Sequence, residues 1–433
     1  MRKSITVALE SPEHFKKKLI SYVSNYQIFS ILDRNSFNQN PNLVLEYDFI
    51  AAIEKIAEIK NVANNNFGAL QQEFNKLNDW LFGYFSYDLK NETEPLTSSN
   101  FDGIKAPKMH FFQPQFVILI KEKKLVVEYL PQFNTENEAI NLIKLIKKYT
   151  LCEENNLPEV KIKQRVSKNK YIEAVNKLKE HISVGDIYEI NYCMEFFAPK
   201  ITIATDILYN KICKISPTPF SCFYRNDEIF AISASPERFL RKIGTKIISQ
   251  PIKGTIKRGK TPEEDALLSQ LLENDIKERA ENIMIVDLVR NDLSKTASFG
   301  SVKVDELCKI YSFAQVHQMI SSISCTLDSE KDGIATLKNC FPMGSMTGAP
   351  KIKAMQLIEQ YEFTKRGIYS GSIGYIKPNG DFDFNVIIRT ILYNSAEKYL
   401  SFMVGSAITH LSIAENEYNE CLLKAEAMFK AII

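Results

Sequence analysis

The sequence lacks a long hydrophobic run and lacks an excess of charge of one sign. Its longest apolar stretches, such as residues 116–120 and 283–289, are far shorter than the ~20 residues that span a membrane. The basic N-terminus, MRKSITVALESPEHF, contains too few consecutive apolar residues for a signal peptide. A formal net charge of +2 argues against nucleic acid or an anionic membrane as the main partner.

Cysteine patterns that would hold a metal or a disulfide framework are also absent. The eight cysteines are scattered without a CxxC pair or zinc-finger spacing, and the five histidines are dispersed. We therefore expect reduced thiols in a cytoplasmic protein. The 433 residues are enough for a large core, and 24% charged residues is ordinary for a globular chain. These features indicate a cytoplasmic enzyme or an interaction protein.

The frequency of chemical motifs changes near residue 150, and the chain divides into three stretches. Residues 1–150 carry few chemical signals, although residues 108–130 have the pattern of a β-hairpin around a charged turn. Residues 151–167 are polar and aperiodic, and we interpret them as a linker. Residues 168–433 carry nearly all of the motifs that point to chemistry.

Long helices alternate with runs of antiparallel strands in the second half of the chain. Helical spacing of apolar residues covers residues 168–184, 262–289 and 413–432. Two capping boxes, at Thr261 with Glu264 and at Ser412 with Glu415, predict where the last two helices begin. Strand-like runs cover residues 187–198, 220–225, 229–235, 367–377 and 382–393. This order predicts an α+β fold rather than a doubly wound sheet.

Two pairs of glutamates recur at the same helical spacing. Glu278 and Glu281 lie on one predicted helix, and Glu417 and Glu420 lie on another, with Lys424 one turn further on. Such pairs usually form solvated helix faces. Two converging pairs would instead suit a magnesium ion shared with an anionic substrate, because hard cations prefer oxygen ligands. An apolar segment follows Glu281, so we expect this carboxylate to be buried and to need a cation or a proton.

Two small-residue segments and one arginine could hold an anion. Residues 344–351, GSMTGAPK, precede a helical run, and residues 404–409, VGSAIT, follow a strand. A helix start with small residues exposes backbone N–H groups to a carboxylate or phosphate, although an ordinary cap has the same pattern. The spacing of a Walker loop is absent. Arg389 interrupts an apolar strand, as an edge residue or as the partner of a buried anion.

Lys253 lies in the segment PIKGTIKRG, residues 251–259, after a strand-like run with no need of an ammonium. By itself this lysine is either a solvated turn residue or a nucleophile. Burial and neighbouring cations would favour the reactive free amine, whereas carboxylates would oppose it. Lys257 and Arg258 are close in sequence, but the sequence does not fix their orientation.

Together these pieces resemble the chorismate-utilising enzymes, a family that includes anthranilate, aminodeoxychorismate, isochorismate and salicylate synthases. The segments that carry the resemblance follow one another in order between residues 168 and 430: GDIYEINYC (185–193), SASPERFL (233–240), PIKGTIKRG (251–259), KERAENIMIVDLVRNDL (277–293), VHQMISSI (316–323), FPMGSMTGAPKIKAM (341–355), GIYSGSIGYI (367–376) and ENEYNECLLKAEAM (415–428). In addition, WLFGYFSYDL (80–89) is similar to the N-terminal part of aminodeoxychorismate synthase component I.

The resemblance implies a fold and a set of site residues. The fold would be an interleaved antiparallel β-sandwich with helices packed outside, to which residues 1–150 contribute a sheet and residues 168–433 the chorismate-binding catalytic region. Magnesium would be held by Glu281 and Glu420, with Glu278 and Glu417 supporting it through water. The positions that match substrate-binding residues are Thr347, Tyr369, Arg389, Gly405, Ala407 and Lys424. Glu237 matches a general acid, and His317 matches a histidine near the substrate.

Lys253 selects among the members of the family. Anthranilate synthases usually read Pro-Ile-Ala-Gly-Thr at this point, whereas aminodeoxychorismate synthases read Pro-Ile-Lys-Gly-Thr, as this chain does. The resemblance therefore implies attack of the Lys253 amine on ring carbon 2 of chorismate, loss of the hydroxyl from carbon 4 and addition of ammonia there. The product would be 4-amino-4-deoxychorismate, a precursor of para-aminobenzoate and folate.

The sequence departs from the family pattern at two positions, and two alternative functions stay open. Glu189 replaces the usual glutamine of the family, where isochorismate and salicylate synthases place a water-activating lysine, and Ala407 replaces a recurring glycine. No GxCxGxQ-like glutaminase motif is present, so we expect ammonia from a separate glutamine amidotransferase subunit. The segment SILDR (30–34) is only a faint relative of a tryptophan-binding motif. The alternatives are anthranilate synthase component I and a non-catalytic subunit that binds chorismate or a glutaminase.

Overall fold

The apolar alternation of the chain produces two antiparallel sheets that share one long strand. The structure, a computed structural model, describes residues 1–35, 46–62, 64–151, 158–328 and 333–433. Its strands are β1 (Lys3–Ala8), β2 (Ile28–Asp33), β3 (Phe49–Lys60), β4 (Leu81–Phe85), β5 (Met109–Lys121), β6 (Lys124–Tyr129), β7 (Lys163–Gln164), β8 (Glu189–Pro199), β9 (Phe220–Asn226), β10 (Ile229–Ser235), β11 (Arg238–Ile243), β12 (Lys246–Gln250), β13 (Ile252–Lys257), β14 (Lys303–Ser312), β15 (Val316–Thr326), β16 (Gly348–Ala349), β17 (Ser372–Ile376), β18 (Phe382–Asn385), β19 (Thr390–Asn394) and β20 (Tyr399–Ile408).

Helices pack outside these sheets. They are α1 (Pro12–Val23), α2 (Asn66–Leu77), α3 (Lys90–Thr93), α4 (Glu136–Lys148), α5 (Lys168–Ser183), α6 (Thr205–Ile215), α7 (Pro262–Asn274), α8 (Ile276–Ser294), α9 (Gly333–Cys340), α10 (Lys351–Tyr361) and α11 (Ala414–Ile432). Within the described ranges, no helix is both long and apolar enough to cross a membrane. The mixture of helices with antiparallel sheets confirms the predicted α+β class.

The first sheet follows the order β1–β6–β5–β3–β2–β9–β10–β19–β20–β8. The second follows the order β4–β17–β18–β11–β12–β15–β14, and β13 continues the β12 edge along β15. Strand β5 joins them, because its first residues pair with β4 and its last residues with β6. On its other edge, a register shift between Lys55 and Ala57 bulges β3, and bulges bend a strand enough to pass between sheets.

One large apolar cluster contains many aromatic rings of the second sheet. Phe85 of β4 contacts Phe111 of β5 and Phe384 of β18, with ring centroids 4.9 and 5.4 Å apart. A second apolar cluster lies between the first sheet and the outer helices, and it includes fully buried Leu19 of α1 and Met428 of α11. Removal of this apolar surface from water is the main force that holds helices and sheets together.

The local predictions are confirmed in part. The hairpin of residues 108–130 is formed by β5 and β6, and the helix at 168–184 is α5, which ends before Gly185 in a left-handed conformation (φ +84°). The predicted helix at 262–289 is wrong as a single element. It divides into α7 and α8 because Asp275 adopts an extended backbone and its carboxylate accepts the N–H of Glu278, which caps a new helix.

Two other predicted elements differ in detail. The strand at 382–393 divides into β18 and β19 because Arg389 takes a left-handed backbone (φ +50°). The final helix begins at Ala414 with Ile413 at its N-cap and no capping box. The Ser412 hydroxyl instead accepts the N–H of Thr409, which closes the preceding turn. Residues 404–408, predicted to follow a strand, are the last five residues of β20.

Strands from the first 150 residues are hydrogen-bonded to strands from the later part of the chain. β2 pairs with β9, and β4 pairs with β17. Of the linker predicted at 151–167, residues 152–157 lie outside the described residues, and residues 163–164 form the short strand β7 beside β8. The division into regions remains a prediction.

Candidate active site

A cavity of about 490 Å³ opens between strand β13 and helices α8 and α11. Most of the residues predicted from the sequence line it. They are Glu237, Lys253, Glu278, Glu281, Tyr369, Arg389, Gly405, Ala407, Glu420 and Lys424. The volume suits a small organic ligand, and a cavity with convergent charged groups is the usual location of an active site.

Lys253 enters this cavity near the start of β13. Its side chain is about 10% exposed, and Nζ donates to Oε1 of Glu189 at 2.6 Å. Gly254 follows with φ +92°, a conformation that a side chain at this position would strain. Burial lowers the pKa of Lys253, but the negative charges of Glu189 and Glu281 outweigh that effect, so the net shift is upward. Lys253 is therefore a protonated lysine in an ion pair before substrate binds.

Glu237 lies in the turn between β10 and β11 and is buried. Its Oε1 accepts the Ser345 hydroxyl at 2.7 Å, and its backbone oxygen accepts the N–H of Val386. Burial raises the pKa of Glu237 to about 7, although Ser345 and Lys253 both act to lower it. A carboxyl with this pKa can donate a proton in the neutral range, which is the requirement for a general acid.

Arg389 presents a positive charge to the cavity. Its left-handed backbone between β18 and β19 places it among the lining residues, and its guanidinium makes no hydrogen bond or ion pair with any residue in the described ranges. Burial lowers the pKa of Arg389 to about 10, which still leaves it charged at neutral pH. A partly buried guanidinium without a protein partner is suited to a carboxylate ligand.

Lys424 of α11 contacts Gly405 of β20 at another part of the cavity lining. The Lys424 ammonium lies 2.7 Å from Oε1 of Glu420 and donates to the backbone oxygen of Gly405 at 3.1 Å. Burial alone would lower the pKa of Lys424, but the neighbouring Glu420 and Cys421 raise it by more. The net shift is upward, so Lys424 remains charged. A Cβ at position 405 would lie 2.5 Å from Sγ of Cys193, so the close approach of β20 and β8 requires glycine here.

The four predicted metal residues, here called the glutamate group, are Glu278 and Glu281 of α8 with Glu417 and Glu420 of α11. Glu281 is buried, as the sequence predicts. The side chain of Lys277, also on α8, contacts both helices, with Nζ 3.2 Å from Glu417 of α11 and 3.7 Å from Glu281 of α8. Burial raises the pKa of Glu278, and it raises that of Glu281 to about 8. Glu417 contacts Lys277 but is not among the residues that line the cavity.

The glutamate group supplies the oxygen ligands that a hard cation prefers, but its side chains are not gathered into a complete coordination site. No three acidic, histidine or cysteine side chains of the described residues come together as a metal cluster. However, Oε1 of Glu281 and Oε2 of Glu417 are buried and accept no hydrogen bond from the part of the chain that the structure describes. Buried carboxylate oxygens of this kind need positive charge, and oxygen-only ligands suit magnesium. The residues present therefore fit the predicted ion.

Two predicted residues lie away from the cavity. Both ring nitrogens of His317 are hydrogen-bonded at 2.9 Å, Nδ1 to Ser312 and Nε2 to Asp265. Thr347 is fully buried, and its hydroxyl donates to the backbone oxygens of Met343 and Gly344. Neither lines the cavity, so the contacts of these two residues lend no support to the roles predicted for them.

Three residues of the site were not selected from the sequence. Ser345 hydrogen-bonds the proposed acid, Lys277 contacts the glutamate group, and Asn282 ties α8 to β13 by donating to the backbone oxygen of Lys253. Each lies in one of the segments that carry the resemblance. Their position in those segments is a signal, but their contacts depend on how distant parts of the chain pack.

Comparison with known proteins identifies the family. A family model described as chorismate binding enzyme matches residues 26–430, which is nearly the whole chain. The chain belongs to this family. Members of the chorismate-binding family therefore provide the reference for its fold and for the chemistry of the cavity.

Relatives within the family carry two different names. The chain is 32% identical over 400 residues to anthranilate synthase component 1 of Aquifex aeolicus (strain VF5), covering 89% of this chain and 80% of the relative. It is 30% identical over 374 residues to aminodeoxychorismate synthase component 1 of Bacillus subtilis (strain 168), covering 83% and 78%. It is 42% identical over 271 residues to a protein of Oryza sativa subsp. japonica named probable aminodeoxychorismate synthase, chloroplastic, covering 61% of this chain and about a third (30%) of that protein.

A solved structure supports the fold. Anthranilate synthase component I from Streptococcus pneumoniae TIGR4 superposes with a TM-score of 0.76 at 25% identity, and the match covers 93% of this chain and 92% of that one. The predicted interleaved sandwich is thus confirmed as an anthranilate synthase component I-like fold. Family membership supports activity on chorismate, and both aminodeoxychorismate and anthranilate synthases are among the relatives.

Proposed function

We propose that this chain is an aminodeoxychorismate synthase component I, which converts chorismate and ammonia to 4-amino-4-deoxychorismate. The observation that carries the proposal is Lys253, a lysine at the cavity whose side chain is about 10% exposed, where anthranilate synthases usually have alanine. A methyl group could not act as a nucleophile, whereas an amine in this position can. The B. subtilis relative named aminodeoxychorismate synthase component 1 also supports it.

In the proposed reaction, Lys253 and Glu237 act on the same substrate. The Lys253 amine forms a bond to ring carbon 2, the ring double bonds shift, and the hydroxyl leaves carbon 4 as water with a proton from Glu237. Ammonia then bonds to carbon 4, the double bonds shift back, and the bond between carbon 2 and the lysine breaks. The enolpyruvyl group is kept. The pKa of about 7 for Glu237 suits the first step, because hydroxide leaves poorly without a proton.

Cationic side chains around the cavity would hold the substrate. Chorismate is a dianion, and Arg389 and Lys424 are charged groups that line the cavity. Arg389 has no protein partner to displace within the described residues, so it is the stronger candidate for a bidentate contact with a carboxylate. Tyr369 and the backbone of Gly405 lie in the same lining, with Ala407 beside them.

The glutamate group would hold a magnesium ion, with Glu281 and Glu420 as ligands and Glu278 and Glu417 in support. When bound, magnesium supplies positive charge for the ring carboxylate of chorismate. Without such a cation, the carboxylates of the glutamate group would repel a dianionic substrate. Oε1 of Glu281 and Oε2 of Glu417, which accept no hydrogen bond from the described residues, support this proposal.

A partner subunit would supply the ammonia. The relatives whose names contain component 1 imply a second component, and we propose that it is a glutamine amidotransferase. The reaction would serve para-aminobenzoate and folate synthesis in the cytoplasm. The seven cysteines within the described residues are free thiols, in keeping with that location.

Product analysis tests the proposal directly. The purified chain would be incubated with chorismate, magnesium and ammonium, and the products would be separated and identified by mass spectrometry. We expect aminodeoxychorismate without pyruvate. Formation of anthranilate and pyruvate by this chain alone would instead assign it as anthranilate synthase component I, which the A. aeolicus relative favours. Binding of chorismate without consumption, even with a glutaminase and glutamine, would indicate a non-catalytic subunit.

A further inference from the structure

The carboxylate of Glu189 lies directly against the Lys253 amine. Glu189 is the first residue of β8, 64 positions from Lys253, and its side chain is 1% exposed. Oε1 accepts Nζ at 2.6 Å, whereas Oε2 is buried and receives no hydrogen bond from the described residues. The Glu189 side chain therefore has the Lys253 ammonium as its hydrogen-bond donor and little else to stabilise its negative charge.

The geometry allows direct transfer of a proton from lysine to glutamate when the amine reacts. At 2.6 Å, Oε1 of Glu189 is within hydrogen-bond reach of Nζ, the distance that a proton acceptor requires. The charged groups of other elements that influence Lys253 are Glu281 of α8 and Lys424 of α11, and Lys253 in turn influences Glu237. Within the described residues, Glu189 is the acid that lies within ion-pair distance of Nζ.

We propose that Glu189 positions the Lys253 amine and takes its proton as the amine attacks the substrate. The inference rests on the covalent reaction proposed above and adds the fate of the lysine protons. When Nζ bonds to carbon 2, one N–H proton moves to Oε1 of Glu189 and the Glu237 proton leaves with the hydroxyl. When ammonia bonds to carbon 4 and the bond to Nζ breaks, the electron pair returns to Nζ and Glu189 gives the proton back.

A purely structural role for Glu189 makes a different prediction. Glutamine has nearly the same shape and keeps an oxygen that accepts the lysine hydrogen bond, but it cannot take a proton. If Glu189 only orients Lys253, Glu189→Gln should react like the wild type. If Glu189 accepts the proton, the Gln variant must begin from lysine that is already deprotonated, a small fraction at neutral pH.

The test is the rate of adduct formation on Lys253 with chorismate in the absence of ammonia, followed by mass spectrometry of the intact protein between about pH 6 and 9. We expect the wild-type rate to be nearly level up to about pH 7 and to decline above it, because the Glu237 proton must leave with the hydroxyl. Glu189→Gln should be slower by ~10²-fold at pH 7 and should gain about tenfold per pH unit relative to the wild type as the free amine increases. Glu189→Asp keeps a carboxylate and should restore the wild-type profile at a lower rate.

The matched control is Glu173→Gln, the same substitution in a solvent-exposed pair, where Glu173 contacts Lys177 at 2.7 Å on α5. It should leave both rate and profile unchanged. An adduct that forms in Glu189→Gln at the wild-type rate and with the wild-type profile would overturn the role of Glu189 and leave the proposed function intact. Absence of any adduct in the wild type would overturn the covalent reaction and this inference with it.

Discussion

Two walls of the cavity hold their charged groups in different ways. The strand wall consists of Glu237 and Lys253, with Glu189 in contact with Lys253, and the helical wall consists of Lys277, Lys424, Glu278, Glu281 and Glu420, with Glu417 in contact with Lys277. In the strand wall, Lys253 is hydrogen-bonded to Glu189, and Glu237 to Ser345. In the helical wall, Lys424 is paired with Glu420 and Lys277 with Glu417, but Oε1 of Glu281 and Oε2 of Glu417 accept no hydrogen bond from any described residue.

The difference indicates a division of labour under the proposed function. Groups that already have partners are held in position before substrate arrives, and such preorganisation favours chemical steps. Buried oxygens that accept no hydrogen bond are ready for an added ion. We therefore expect changes in the strand wall to act mainly on turnover, and changes in the helical wall to act mainly on the response to magnesium.

The largest effect should come from Lys253→Ala. Loss of the proposed nucleophile should lower activity by at least ~10⁴-fold, measured as aminodeoxychorismate formed from chorismate and ammonium. The variant should also lose stability, on the order of 3–5 kcal/mol in urea unfolding, because Glu189 would remain buried without its cation.

The double variant with Glu189→Gln separates these two effects. It removes the unpaired charge, so it should recover most of the stability and none of the activity. Substantial activity in either variant would exclude Lys253 as the nucleophile and would weaken the view that the strand wall carries the chemistry.

Glu237→Gln should have the next largest effect. Loss of a general acid typically costs ~10²–10⁴-fold in turnover. Burial raises the pKa of Glu237 to about 7, so its carboxyl carries the required proton below that pH and loses it above. The wild-type kcat/KM should therefore fall as pH rises beyond about 7, and this alkaline decline should be missing from the residual activity of the variant. An unchanged decline in Glu237→Gln would assign it to another group.

Glu281→Gln should test the helical wall. The magnesium concentration that gives half-maximal activity should rise by ~10–100-fold or more, because a neutral amide is a weaker ligand for a hard cation. Calorimetric titration of magnesium into the protein measures the same change without turnover. The control is Glu273→Gln at an exposed position of α7, which should leave magnesium affinity unaltered. Equal magnesium affinity in wild type and Glu281→Gln would remove the glutamate group as the ion site.

The smallest effect on activity is expected for His317→Gln. His317 is satisfied by Ser312 and Asp265 and does not line the cavity, so its loss should cost ~1–3 kcal/mol of stability and leave kcat within about threefold. Thermal unfolding and steady-state kinetics of one preparation give both quantities. A loss of ~10²-fold in kcat at unchanged stability would restore the catalytic role that the resemblance implies.

Much of the fold could be predicted from local patterns. The hairpin of β5 and β6, helix α5 and the strands β9 and β10 follow from apolar periodicity and turn residues, which report local conformation directly. The errors occurred where one residue changed the backbone. Asp275 capped a second helix inside a continuous helical pattern, and Arg389 took a left-handed conformation inside a strand pattern.

The candidate site could be predicted in part. The glutamate spacing and the segment around Lys253 marked residues of which all but Glu417 line one cavity, whereas His317 and Thr347 are only neighbours of lining residues. Side chains alternate along β15, so Val316 and Gln318 can line the cavity while His317 does not. A motif fixes residue types in order, but it does not say which face of a strand each side chain occupies.

The order of residues was enough to predict the α+β class, the family segments and a lysine where alanine is usual. The folded chain was needed to show that Glu189 of β8 contacts Lys253 of β13, that Lys277 contacts the glutamate group, and that Arg389 lines the cavity without a hydrogen-bond or ion-pair partner among the described residues. The reason is physical. Periodicity and capping act over a few residues, whereas these contacts arise when strands distant in sequence pair and helices pack on them to bury apolar surface.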